Sequence, residues 1–175
     1  MLLQTTYQSP LGPIILLARD EQLVGLWFAG QKYQGSQYDL SQISTAENQI
    51  LRQSQIWLDA YFAGQKPAID QLNLAPEVTP FRQRVLAVLT QIPQGQVLTY
   101  GEIAKKMNTG NQQPTSPRAV GGAVGHNPIS IIIPCHRVVG SDGSLTGYAG
   151  GLDRKIALLA HEGFDQEVLN HGRIN

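Results

Sequence analysis

Apolar positions along the chain recur with two different periods. The first thirty residues carry short apolar runs, which predicts strands over residues 5–8, 14–17 and 23–28. Ser9-Pro10-Leu11-Gly12 is a turn signal, and the polar Arg19-Asp20-Glu21-Gln22 joins the next two strands. The three strands read as an antiparallel meander. Residues 30–41 are polar loop. Helical spacing then takes over across 44–64, where Ile50, Leu51, Trp57, Leu58, Tyr61 and Phe62 fall on one face. Ser44 and Glu47 offer a capping box for that helix, and Gly64 a stop. Pro67 and Pro76 mark an irregular linker over 65–79.

The second half reads as helices. Thr79-Pro80 is an N-cap followed by Pro at N1, opening a stripe of Phe81, Val85, Leu86 and Leu89 that Pro93 and Gly95 end. Thr99 and Glu102 form a second capping box, starting a short helix through Ile103, Ala104 and Met107. A polar loop over 108–115 leads to Ser116-Pro117, which opens another helix that must end before Pro128. Two short helices joined by a turn resemble a helix-turn-helix, although helix pairs are common. A last helix, from near Asp153, contains Ile156, Leu158 and Leu159 and ends at Glu162-Gly163.

Composition narrows the class. The 175 residues suit one large or two small domains. The single cysteine excludes an internal disulfide framework and points to the cytoplasm. No apolar run approaches the ~20 residues that span a bilayer, and no signal-peptide pattern opens the chain. Net charge is zero, yet residues 1–80 carry four Lys/Arg against seven Asp/Glu and residues 81–175 nine against six. A phosphate-binding face therefore belongs in the second half.

The candidate chemistry centres on Cys135, between the apolar runs 131–133 and 138–139 that both read as buried strand. Pro134 breaks any ladder there. Beside His136, the thiol is a plausible nucleophile, since only the thiolate attacks and an ordinary thiol needs a base. A free cysteine is as often a small buried hydrophobe. Three further features stand out. The 117–126 helix contains Gly121, Gly122 and Gly125, each costing about 0.5–1 kcal/mol against Ala; either tight helix packing or a nucleic-acid backbone would explain them. Arg118 in the first turn faces the unfavourable end of the helix dipole, as a solvated arginine or one that reaches into a groove. Glu162 sits at the equally unfavourable C-terminal end, as solvated surface or as a carboxylate aimed at an imidazole.

With these residues in place, the sequence resembles the O6-alkylguanine-DNA alkyltransferases. Pro134-Cys135-His136-Arg137-Val138 matches that family's active-site signature. Tyr100-Gly101-Glu102-Ile103-Ala104, Arg118-Ala119-Val120-Gly121, Asn127-Pro128, Gly147-Tyr148-Ala149-Gly150-Gly151-Leu152 and His161-Glu162-Gly163 follow in the family's order. The match is strong over 80–163 and one of layout before that. It implies an α/β N-terminal domain, ribonuclease H-like, with a small antiparallel sheet and a helix over 1–79. A mostly α, winged-helix-like domain with the helix-turn-helix would occupy 80–175.

The resemblance also implies repair of DNA by direct reversal. The alkyl group of O6-alkylguanine, and of O4-alkylthymine, would pass irreversibly to Cys135 in a single turnover. His136 would be the base through a bridging water, with Glu162 orienting it. Asn127 would hold the turn into the active-site loop. Tyr100 would help rotate the nucleotide out and donate a hydrogen bond to it, and Arg118 would fill the vacated stack. Ala119, Gly122 and Ala123 would let the helix approach the minor groove. The carbonyls of Cys135 and Val138 would accept from the guanine amino group, and Tyr148-Ala149 would close the pocket. The partner would be double-stranded DNA, met by a cytoplasmic monomer without membrane attachment, cofactor or metal; residues 1–80 hold neither Cys nor His for zinc.

The chain departs from many relatives in a longer 107–117 loop, in Ala149 where some have Ser, and in His126. A cysteine hydrolase would need an oxyanion hole that nothing in the sequence marks. A non-catalytic damage sensor would not need Cys135. A plain helix-turn-helix regulator would not need Cys135, His136 and Glu162 together.

Overall fold

A computed structural model describes residues 1–108 and 114–174. Residues 109–113, the middle of the expected polar loop of 108–115 and of the 107–117 loop, lie outside the described residues. The chain divides into two compact units, Met1–Glu77 with Pro128–Ile132, and Val78–Asn127 with Ile133–Asn175. Residues 128–132 therefore pack with the first unit, a return that a single division after residue 79 does not contain.

The first unit is built on a sheet of β1 (Leu2–Ser9), β2 (Gly12–Arg19) and β3 (Gln22–Phe28), joined as antiparallel hairpins. Gly12 turns the first hairpin with φ +111°, and the Ser9 hydroxyl braces it by donating to the Gly12 carbonyl at 2.6 Å. A bulge at Leu17/Ala18 shifts the register of β2 against β3. The free edge of β3 is occupied: Leu23 pairs with Leu74 and Leu26 with Ile129 as isolated parallel bridges. Covering that edge removes a template for strand addition.

Two expectations for this unit need correction. Ser44–Thr45 is a short strand, β4, parallel to β1, so the sheet is mixed and Ser44 caps no helix. The helix α1 is Gln49–Phe62, capped by Asn48, whose side chain accepts from the Leu51 amide at 3.0 Å. The capping-box pattern at Ser44 and Glu47 lost to backbone pairing with Leu3 and Gln4, followed by a better placed amide cap. The buried face of α1 is Ile50, Leu51, Ser54, Trp57, Leu58 and Tyr61. Trp27, Leu17 and Val24 form a separate core cluster with Tyr38, Leu40 and Ile43. The Trp27 ring lies flat over Gly25, where an added Cβ would come within 2.1 Å of it.

The second unit is mostly helical. Thr79 caps α2 (Pro80–Leu89), and β5 (Leu98–Thr99) runs straight into α3 (Tyr100–Met107) through the full Thr99–Glu102 capping box. Ser116 caps α4 (Pro117–Gly125) with Pro at N1. Asn108 and Thr115 bond each other twice, at 2.6 and 3.3 Å. β6 (Val138–Val139) pairs in parallel with β5. α5 is Leu152–His161 and α6 Gln166–Asn170.

The run 131–133 is buried but is a turn, not a strand. Pro128 and Pro134 bracket it, and the Ser130 amide is already spent on the Leu26 carbonyl. Ile131 adopts φ +67°, a strained conformation for a β-branched side chain.

Candidate active site

Local sequence sets the site's shape. Pro134 (φ −83°, ψ 67°) delivers the chain into one 3-10 turn over Cys135–Arg137, which then joins β6. Three consecutive side chains are thereby aimed inward, and Cys135, His136 and Arg137 are all buried.

Cys135 is 6% exposed, and burial pushes its thiol above the ordinary value. The side chains of Asn127 and Tyr148 reach it by hydrogen bonding, and the Lys155 charge pulls the other way, without overcoming burial. The resting sulfur is therefore a thiol that needs a base. Asn127 is itself fixed, its Nδ2 donating to the Ile133 carbonyl at 2.9 Å. It thus ties the end of α4 to the segment that leads into the Cys135 turn.

The candidate base stands next in sequence. His136 Nε2 meets Glu162 Oε2 at 2.6 Å, both side chains fully buried. Burial lowers the His136 imidazole, Glu162 raises it, and the Arg137 and Lys155 charges lower it, leaving it below the ordinary value. For Glu162, burial acts upward, but His136 and the Arg137 guanidinium outweigh it and hold the carboxyl well below the usual carboxylate range. An ionised carboxylate only accepts, so the neutral ring carries its proton on Nε2. Nδ1 is left as an acceptor, buried and without a hydrogen-bond partner among the described residues.

The residues expected to line the pocket stand on three further segments. Val138 follows the turn, and its carbonyl accepts from Lys155 Nζ at 2.6 Å, leaving one lone pair. Tyr100, first residue of α3, is partly buried; burial raises its phenol, and its hydroxyl shares a hydrogen bond with Thr146. Tyr148 and Ala149 lie half-buried on the segment before α5.

On α4 the expected surface residues separate. Arg118, Ala119 and Gly122 are exposed, whereas Ala123 is 3% exposed and belongs to the core with Val120 and Val124. Ala123 is therefore not part of the face that α4 presents. Tight helix packing does not explain the glycines: a Cβ at Gly122 or Gly125 would meet nothing within 4 Å, and one at Gly121 would make only ordinary contact with the Tyr100 ring at 3.8 Å.

Two buried cations were not among the expected site residues. Arg137 donates to both Glu162 oxygens, at 2.7 and 3.0 Å, and to the Ile92 carbonyl at 2.5 Å. Lys155 is 1% exposed. Its spacing to Leu158, Leu159 and Glu162 was the available signal, since i, i+3, i+4 and i+7 share a helix face.

Comparison with known proteins gives one answer over nearly the whole chain. Residues 2–76 match the model described as 6-O-methylguanine DNA methyltransferase, ribonuclease-like domain, and residues 80–164 the DNA binding domain of the same name. The methylated-DNA–protein-cysteine methyltransferase of Methanosarcina acetivorans is 46% identical over 157 residues, 90% of this chain and 96% of that one. The Salmonella typhimurium protein of the same name is 41% identical over 170 residues, 93% of this chain and 96% of its own. The crystal structure of Mycobacterium tuberculosis OGT in complex with DNA superposes with TM-score 0.80 at 39% identity, covering 91% of this chain and 92% of that one.

Proposed function

The chain belongs to the 6-O-methylguanine DNA methyltransferase family, and on that premise we propose that Cys135 is its alkyl acceptor and His136, Glu162, Asn127 and Tyr100 its supporting groups. The observation that carries the assignment is the buried His136–Glu162 pair one residue from the only cysteine. The thiol proton passes to His136 Nδ1 through a water, because neighbouring side chains do not face each other. Sulfur then attacks the alkyl carbon, an S–C bond forms as the C–O6 bond breaks, and the electron pair leaves on the guanine. Tyr100 donates a hydrogen bond to the departing base, and Glu162 stabilises the imidazolium. The thioether product is no longer a nucleophile, so each molecule reacts once.

The target carbon lies inside a duplex, so the nucleotide must leave the stack at a cost of a few kcal/mol. Arg118 at the start of α4 fills the gap, a role its exposure supports, and α4 approaches the minor groove over the exposed Ala119 and Gly122, with open space at Gly122 in support. The carbonyls of Cys135 and Val138 receive the guanine amino group, and Tyr148-Ala149 closes over the base. O4-alkylthymine is a second substrate of the same pocket, and the chain acts on duplex DNA as a monomer.

Intact-mass analysis after mixing with a duplex carrying one O6-methylguanine tests this reading. Wild type should gain one methyl group, mapped to Cys135, and stop at one equivalent. Cys135→Ala should gain none while keeping its DNA affinity. Methylation of the alanine variant would dismiss Cys135 as the acceptor.

A further inference from the structure

Lys155 occupies a position on α5 where the helix otherwise buries leucine. Its Nζ donates to the carbonyls of Val138 at 2.6 Å, Thr146 at 3.1 Å and Gly147 at 3.4 Å, which uses all three ammonium protons. No carboxylate pairs with it among the described residues. A buried cation without a counter-ion is costly, and a methionine would fill the same space without that cost. The three carbonyls belong to two segments of the pocket: Val138 at its rim, and Thr146 and Gly147 at the root of Tyr148-Ala149.

We propose that Lys155 is a positioning residue for alkyl transfer, tying the Val138 carbonyl to the Thr146–Gly147 segment and setting one positive charge against the Cys135 sulfur. This rests on the reading of Cys135 and its pocket as the alkyl-acceptor site. The two roles reinforce each other. Burial brings the Lys155 ammonium down to about 8, and negative charge on Cys135 draws it back up. A thiolate at Cys135 thus favours the charged form of the cation that bonds the three carbonyls. The other titratable groups that act on Cys135 or feel its charge are Tyr148 before α5 and Tyr100 on α3, while His136 follows it on the same turn.

Lys155→Met and Lys155→Arg separate tie from charge. The readouts are the single-turnover rate of methyl transfer at saturating duplex, the duplex affinity, and the pH profile of Cys135 alkylation by iodoacetamide. Lys155→Met should slow transfer by about 100-fold, the scale of an ångström of misplacement, with affinity held within about threefold. Its iodoacetamide profile should move to higher pH, which a merely structural residue would not cause. Lys155→Arg keeps the charge and the profile, but its planar fork cannot serve three carbonyls alike, so transfer should still fall about tenfold.

Wild-type transfer by Lys155→Met, or a profile that does not move, would overturn the proposal. If that variant does not fold, wild-type transfer by Lys155→Arg would overturn the tie. A wild-type chain that takes no methyl group would strike the acceptor reading instead, leaving the iodoacetamide profiles to decide the charge.

Discussion

Arg137 and Glu162 meet as a two-point pair, Nε to Oε1 at 2.7 Å and Nη2 to Oε2 at 3.0 Å, with neither side chain more than 6% exposed. Oε2 also receives the His136 Nε2 proton. One carboxylate therefore fixes the tautomer of His136 and neutralises a buried guanidinium. Deleting one partner of such a pair strands the other, at about 3–5 kcal/mol. Arg137→Met is expected to lose stability on that scale in urea denaturation; an unchanged midpoint would show that the pair is dispensable. Glu162→Gln should slow methyl transfer while leaving duplex affinity near wild type.

Acid should weaken the fold in a defined order. His136 titrates below its ordinary value in the folded chain, chiefly because it is buried. The unfolded chain therefore takes up that proton first, and stability falls as pH drops below about 6.5. Glu162 is depressed as well, so its contribution is complete above the ordinary carboxylate range and is lost as pH falls below it. The melting temperature should fall steadily from about pH 7 to about pH 2, less steeply below about pH 4.5 in Glu162→Gln. A flat profile would refute the protonation states assigned here.

Gly122 separates stability from binding. It is a helix-interior glycine with open space where a Cβ would stand. Gly122→Ala should stabilise the free protein by about 0.5–1 kcal/mol in thermal or urea melts. The same methyl group should weaken duplex binding. Unchanged affinity would mean that this face of α4 does not meet DNA.

Arg118 is exposed at the first turn of α4. If it replaces the flipped nucleotide in the stack, Arg118→Ala should slow repair in duplex DNA far more than reaction with free O6-methylguanine. Equal losses on both substrates, compared by mass spectrometry, would remove that role.

Gly25 is set by Trp27 rather than by a turn. An alanine there would push its Cβ into the indole. Gly25→Ala should cost about 1–3 kcal/mol, the range for overpacking, and shift the tryptophan fluorescence. Wild-type stability would show that the ring moves freely.

Local chemistry was legible wherever a side chain acts on its own backbone. Thr79, Thr99 and Ser116 cap the helices that their Pro and Glu partners announce. Ser44 carried an equally good local signal, but Ser44 and Thr45 pair with Leu3 and Gln4, far away in sequence. Ile131 to Ile133 were misread for a related reason: an apolar run states burial, and two prolines, not hydrophobicity, decided that it turns. The buried cluster was legible at Cys135, His136 and Glu162, because a cysteine next to histidine and a glutamate at the wrong helix end are local oddities. Arg137 and Lys155 were not, since cations in a sequence read as surface until their tertiary partners are known. Ala123 was misassigned because small size alone does not tell the open side of α4 from its packed side.

Helix α5 carries Lys155 and Glu162 on one rod, seven residues apart. The cation bonded to the Val138, Thr146 and Gly147 carbonyls and the carboxylate bonded to His136 and Arg137 therefore share a single degree of freedom. Rotating or sliding α5 displaces both at once, so the proposed pocket and the proposed base cannot be adjusted separately through this helix. The segment leading to Tyr148 follows as well, because Lys155 holds the Thr146 and Gly147 carbonyls and Tyr148 reaches Cys135.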